Sequence, residues 1–350
     1  MRRALVAGVM LAGCCVMWGQ SASLLVLSKR AHTLSIVDPV SLKVVASAPV
    51  GNDPHEVIAS ADGRTAYVSN YGGGAYNTLA IVDLVERKAL PAVDLGALRG
   101  PHGLDFVGGK VWFTAEGAKA IGSYDPASGK VDWIMGTGQD RTHMVYVAED
   151  LKWMVTTNVS SGTVTILEKS TRRQGPPPPP PGSGGMRPPP PGGGPMGAPG
   201  GSWDETVIPV GRGSEGFDVS PDGREIWVGN AGDGTISIID RATKKVIQTL
   251  EVNVEGANRL KFTPDGKTVL VSTLSGADLV VLDAASRRVM KRVKIGHGAA
   301  GIQMNPDGSK AYVACSPDDY VAVIDLKTLE VVGHIEAGGE PDGLAWAVRQ

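Results

Sequence analysis

A tandem repeat constrains this chain more than any other feature. SPDGREIWVGNAGDGTISIIDRATKKVIQTLEV begins at Ser220. It recurs as TPDGKTVLVSTLSGADLVVLDAASRRVMKRVKIG from Thr263 and as NPDGSKAYVACSPDDYVAVIDLKTLEVVGHIEAG from Asn305. SADGRTAYVSNYGGGAYNTLAIVDL, from Ser60, is a fourth copy. The period of about 42 to 46 residues is that of a four-stranded propeller blade. In each unit a short apolar strand ends at a Pro-Asp-Gly turn, where Gly supplies the positive φ. Three more strands follow, such as Glu225 to Asn230, Thr235 to Asp240 and Val246 to Val252. Their β-branched, alternating composition suits antiparallel pairing.

Counting units leaves a remainder that closes the fold. Residues 23 to 50 hold three strands and lack the first, while residues 340 to 350, EPDGLAWAVRQ, are a spare first strand. Pairing them abolishes two exposed edges. The expected fold is therefore all-β: a seven-bladed β-propeller of four-stranded antiparallel blades, with the C-terminal strand completing the N-terminal blade.

Two segments fall outside the repeat. Residues 1 to 22 read as a signal peptide, with basic Arg2 and Arg3 before an apolar Ala4 to Trp18, and small residues near a cleavage point at Ser21 to Ser23. This implies an extracytoplasmic protein, periplasmic or secreted. Leu11-Ala12-Gly13-Cys14 supports an alternative, a lipid anchor at Cys14. The propeller then spans 23 to 350. It is interrupted at 174 to 202 by QGPPPPPPGSGGMRPPPPGGGPMGAPGGS, which holds 12 of the 24 prolines. That composition cannot build a core and is expected to be a disordered insertion, or else a ligand for a proline-binding protein partner.

Loss of Arg2 and Arg3 leaves 32 basic against 36 acidic residues, so net charge goes from −2 to −4. No nucleic-acid partner is expected from that balance. Cys315 is the one cysteine beyond the signal segment, so no internal disulfide is expected, and it reads as a small buried hydrophobe. There is no CxxCH motif for covalent haem.

Strand alternation sorts the loops. The start of strand one, the two–three loop and the four–one link share one rim, the top. The Pro-Asp-Gly turn and the three–four turn share the bottom. Strand one is innermost, so its first residues should ring the channel. Counting seven residues back from each turn Asp gives His55, Glu215, Asn258 and Ala300, and motif matching adds His102, His143 and Asp342. Imidazoles converging on a concave site are typical metal ligands, so His55, His102 and His143 are candidates for a divalent metal. His32 and His297 fall on the same rim, whereas His334 falls on an outer strand. Glu56, Tyr71 and Arg259 follow ring positions or loops and join His32, Glu215, Asn258 and Asp342 as candidate ligand-binding residues. Arg259 suits a ligand carboxylate or phosphate, or else a surface salt bridge.

The PDG–(Y/W)V–N–TxxxxD–KV pattern resembles the YVTN family of β-propellers over essentially the whole mature chain. Blade three differs: PHGLDFVGGKVWFTAEGAKAIGSYDPASGKV, residues 101 to 131, resembles a streptogramin-lyase repeat with its PHG…WFTE…IG…D…G pattern. That resemblance implies metal-assisted opening of a lactone by elimination, with His102 and Glu116 at the matching positions and His143 beside them. NYGGG at residues 70 to 74 resembles a stretch of lactonase-like propellers. The expected function is binding of a small molecule or metal at the central channel. The alternatives are a metal-dependent lactonase or lyase using His102, Glu116 and His143, and a protein-interaction scaffold.

Overall fold

The computed structural model describes residues 21–170 and 202–349. The described residues form seven four-stranded antiparallel sheets. Blade one consists of Pro341–Arg349 innermost, then Ser21–Ser28, Thr33–Asp38 and Lys43–Pro49. The ring is thus closed by the C-terminal strand, with Leu25 opposite Ala345 and Ser21 opposite Arg349. The first described strand begins at Ser21, two residues before the expected start of the propeller at 23.

Burial explains the blade. Strands two and three lie between neighbouring blades and are almost continuously buried, as in Glu225–Asn230 and Thr235–Asp240. Trp227, Ile238, Leu260, Val271 and Val280 pack together between blades five and six, each no more than 1% exposed. Strand four is outermost, so Lys245–Glu251 exposes most of its residues and buries Leu250. Each Pro-Asp-Gly turn is tied by its own side chains. In blade five Asp222 accepts the Ser220 hydroxyl at 2.7 Å and the Arg224 N–H at 3.1 Å, and Gly223 takes φ +70°.

The inner strands share one irregularity. Pairing of strand one with strand two slips just after the ring position, between Pro54 and Val57, Pro101 and Leu104, and Ala257 and Leu260. This bulge turns two consecutive residues toward the channel. The second of them is Gly in blades one, three, five and seven (Gly343, Gly103, Gly216, Gly301). A Cβ on Gly103 would lie 2.6 Å from the His143 carbonyl oxygen, so the close approach of adjacent strands demands glycine there. Blades two, four and six instead carry Glu56, Met144 and Arg259 at this level.

The insertion leaves from the bottom turn between Thr163–Lys169 and Trp203–Pro209. The Ser170 N–H donates to the Ser202 carbonyl at 2.8 Å, so the blade closes across it. The expected signal segment to Gln20, with Cys14, and the expected insertion as far as Gly201 lie outside the described residues. Cys315 ends strand two of blade seven fully buried, and burial pushes its thiol up to about 12.

Candidate functional site at the top of the channel

Every ring position expected from the repeat lines one top-face cavity of ≈ 430 Å³: Asp342, His55, His102, His143, Glu215, Asn258 and Ala300. Each is the second residue of its strand. Strand-two hydroxyls hold several of their carbonyls across the blade boundary. Ser69 donates to the His102 carbonyl at 2.8 Å, Thr114 to that of His143 at 2.6 Å, and Thr157 to that of Glu215 at 2.7 Å. The same Thr114 oxygen accepts the Gly103 N–H at 2.9 Å, which satisfies a donor freed by the bulge.

The three imidazoles are stacked, with centroids 4.4 Å apart for His55 and His102 and 3.8 Å for His102 and His143. Burial, reinforced by His143 and His55, holds His102 well below the usual histidine range, so it is neutral. Burial acts the same way on His143 but is outweighed there, and its pKa is raised. The reason is a pair of carboxylates: Nδ1 lies 2.5 Å from Glu116 Oε1 and Nε2 lies 3.0 Å from Glu215 Oε2. The second contact is a charge contact without hydrogen-bond alignment. Burial works against ionisation of both acids, yet His143 and the nearby arginines keep Glu116 low and bring Glu215 to about 2.

Glu116 is itself a junction. It opens a short 3₁₀ turn just after the strand Lys110–Ala115 and is 6% exposed. Its Oε2 accepts the Tyr71 hydroxyl at 2.5 Å and lies 3.5 Å from Arg141 Nε. Tyr71 comes from the Gly-rich loop of blade two. That loop leans on blade three, where a Cβ on Gly100 would meet the Gly74 Cα at 2.8 Å. On the other side of the ring, Lys29 Nζ pairs with Asp342 Oδ2 at 2.6 Å and approaches His55 Nε2 to 3.4 Å. Burial would raise Asp342, but His55, Lys29 and Arg259 outweigh it and hold it ionised.

Other candidates sit elsewhere. Arg259 lines the cavity but its guanidinium is already paired with Glu56, and both are buried. The pair is neither a surface salt bridge nor an open anion clamp, because bulge geometry aims both side chains into the channel from blades six and two. Glu56 is outside the cavity lining and holds the Arg259 guanidinium from behind it. His32 and His297 are exposed, and neither lines the cavity. His297 pairs instead with Asp318 at 3.3 Å. His334 lies on the outer strand Glu330–Ile335 against the Tyr320 ring.

Three buried residues, His102, Glu116 and His143, offer donor atoms that all lie within 4.8 Å of one another. His102 Nδ1 is buried without a hydrogen-bond partner. Two nitrogens and a carboxylate oxygen suit a borderline divalent ion of the zinc type. His55 stands outside this group, since its nitrogens face Asp53 at 3.7 Å and Lys29 at 3.4 Å. Lys29 and Arg141 were not singled out from sequence. Each stands beside a strand end, Lys29 just after Ser28 and Arg141 just before Thr142 with φ +54°. That placement on the top rim is the signal that could have found them.

Seven four-stranded blades around a channel whose upper mouth gathers imidazoles and carboxylates define a β-propeller with a central-channel site. More particularly, residues 201–309, from the outer strand of blade four into blade seven, match the YNCE-like beta-propeller family model. Among solved structures, a functionally unknown protein from Desulfotomaculum acetoxidans superposes with a TM-score of 0.70 at 14% identity, over 93% of this chain and 98% of that one. Hydrazine synthase from Kuenenia stuttgartiensis gives 0.68 at 16%, over 91% and 99%. A candidate 6-phosphogluconolactonase from Bacteroides fragilis gives 0.66 at 15%, over 95% and 99%. At these identities the likeness is one of fold. No curated protein sequence matches the chain closely enough to count as a relative.

Proposed function

We propose that this chain is an exported binding protein whose channel site holds a divalent metal ion through His102, Glu116 and His143. The observation that carries this reading is the buried His–Glu–His donor group, with the partnerless His102 nitrogen, beside a cavity of ≈ 430 Å³. A cation at this place is favoured by Glu215, which adds negative charge around His143. Binding would displace the His143 proton, so uptake should weaken as pH falls. Three protein ligands beside an open cavity leave room for a small molecule at the ion.

The test is metal content and zinc titration of the purified protein, next to a folded His102→Ala/His143→Ala variant. Near-stoichiometric metal, lost in the variant, supports the proposal. No uptake by the wild type after reconstitution overturns it. Export rests on the basic and apolar residues before Gln20, and N-terminal sequencing of protein recovered from the cell envelope tests it.

A second reading is a lactonase or lyase, favoured by the Tyr71–Glu116–His143 chain at the cavity wall. In this reading a metal held by the same three residues would supply Lewis acidity at a substrate carbonyl. It requires turnover of a lactone that is lost in Glu116→Gln, whereas pure binding saturates without product.

A further inference from the structure

We propose that the channel site takes a small monocarboxylate with an apolar body. Its carboxylate lies between the bound ion and Arg141, and its apolar part lies against Leu274 and Pro317. This inference rests on the metal reading above and names the class of molecule that completes the site. The cavity of ≈ 430 Å³ is within the usual range for small-molecule sites. Its lining is uneven. Blades one to five contribute ionisable and aromatic side chains, whereas blades six and seven add Leu274, Ala300 and Pro317. Leu274 follows the strand Thr268–Thr273 on the top rim and is 50% exposed. Covering such a side chain with an apolar group removes it from water, which is favourable.

Charge sets the sign of the ligand. Most ions at the cavity are already paired: Lys29 with Asp342 at 2.6 Å, Arg30 with Glu340 at 3.2 Å, and Arg259 with Glu56. Around the donor group there remain Glu116, Glu215 and Arg141. Imidazoles ligate in their neutral form. A divalent ion and Arg141 therefore bring three positive charges against two carboxylates. One positive charge is left over beside buried groups, where an unpaired charge is costly. A single carboxylate cancels it, whereas an amine adds to it and a neutral group leaves it.

Arg141 is placed to take that carboxylate. It stands just before the strand Thr142–Val147, lines the cavity, and has a side chain that is 42% exposed. Its contacts to protein carboxylates are long, 3.5 Å from Nε to Glu116 Oε2 and 3.9 Å from Nη2 to Glu215 Oε1. A guanidinium has five N–H donors in a planar fork that matches a carboxylate, so donors are left for a ligand. Glu116 belongs to the donor group and also contacts Arg141, which sets the ion and the guanidinium side by side. One ligand carboxylate can then offer an oxygen to each.

The test is calorimetric titration of sodium phenylacetate into the zinc-loaded protein, beside 2-phenylethanol, 2-phenylethylamine and acetate. Phenylacetate should bind saturably, about tenfold or more tighter than the alcohol, and the amine should not bind. Acetate, which has no apolar body, should bind more weakly than phenylacetate. Arg141→Gln should weaken phenylacetate by about tenfold or more without weakening zinc. Leu274→Ser should weaken phenylacetate and leave acetate unchanged. Both side chains are exposed at the mouth of the cavity, so both variants keep the fold. If the wild type takes up no zinc, the metal reading falls and this inference with it. If zinc binds but phenylacetate does not, or the alcohol or amine binds as tightly, the metal reading stands and the ligand class is overturned. Phenylacetate that binds the zinc-free protein or the Arg141→Gln variant as tightly as the zinc-loaded wild type also overturns it.

Discussion

Arg259 on blade six and Glu56 on blade two form an ion pair across the channel, with side chains only 8% and 12% exposed. Glycines at the same level in the odd-numbered blades leave room for these side chains. Removing one partner strands a buried charge, so Glu56→Ala should lower stability by about 3–5 kcal/mol. Glu56→Leu combined with Arg259→Met should recover most of that loss. Urea unfolding of the three variants measures both effects.

Thr114 is expected to be a positioning residue for the donor group. Its hydroxyl bridges the Gly103 N–H and the His143 carbonyl. Thr114→Val keeps the shape and leaves both backbone groups unsatisfied, at a cost of about 1–3 kcal/mol. Zinc affinity should fall with it, whereas Ser272→Ala, which frees the Ala300 carbonyl and the Arg259 N–H on blades seven and six, should cost stability without weakening zinc. Calorimetric titration beside chemical denaturation separates the two.

Asp105 provides the pH dependence. Burial pushes its carboxyl up to about 6, while the N–H groups of Val147 and Phe106 favour ionisation, and Lys261 and Asp218 act in opposite senses. Between its ordinary value of 3.8 and about 6, the folded chain holds a proton that the unfolded chain has released. The contribution of this group is therefore fully present below 3.8 and is lost as pH rises through about 6. Asp105→Asn keeps an acceptor for Val147 and removes the titration. Its stability relative to wild type should be higher near pH 7.5 than near pH 4.5, which thermal unfolding at the two values measures.

Deleting 174–202 should leave the channel site untouched. The insertion leaves from the turn between Thr163–Lys169 and Trp203–Pro209 on the bottom rim, and the donor group is on the top. Zinc affinity of the deletion variant, rejoined by a short turn, should equal that of the wild type within about twofold. A folded variant with lost affinity would contradict this separation of faces.

Ending the chain at Glu340 removes the innermost strand of blade one. Ser21–Ser28 then loses its partner and Gly343 no longer packs on His55. The open ring exposes unpaired edges, so the truncated chain should aggregate or unfold, as light scattering and circular dichroism would report.

Blade, ring and rim are legible in the repeats. Period-two strands, Pro-Asp-Gly turns and a spare terminal strand are local signals, and all seven ring residues read from them line the cavity. What those residues do to one another follows from the closed ring. A bulge sends Arg259 and Glu56 inward together, which simple alternation does not anticipate. Burial lowers the His102 pKa, whereas that of His143 is raised because Glu116 and Glu215 converge on its imidazole from blades three and five, residues far apart in the chain. Lys29 and Arg141 enter the cavity, while His32 and His297 on the same rim stay outside it. Which side chains meet across a channel depends on the radius of the closed ring and the close approach of neighbouring strands, and neither is written in any single repeat.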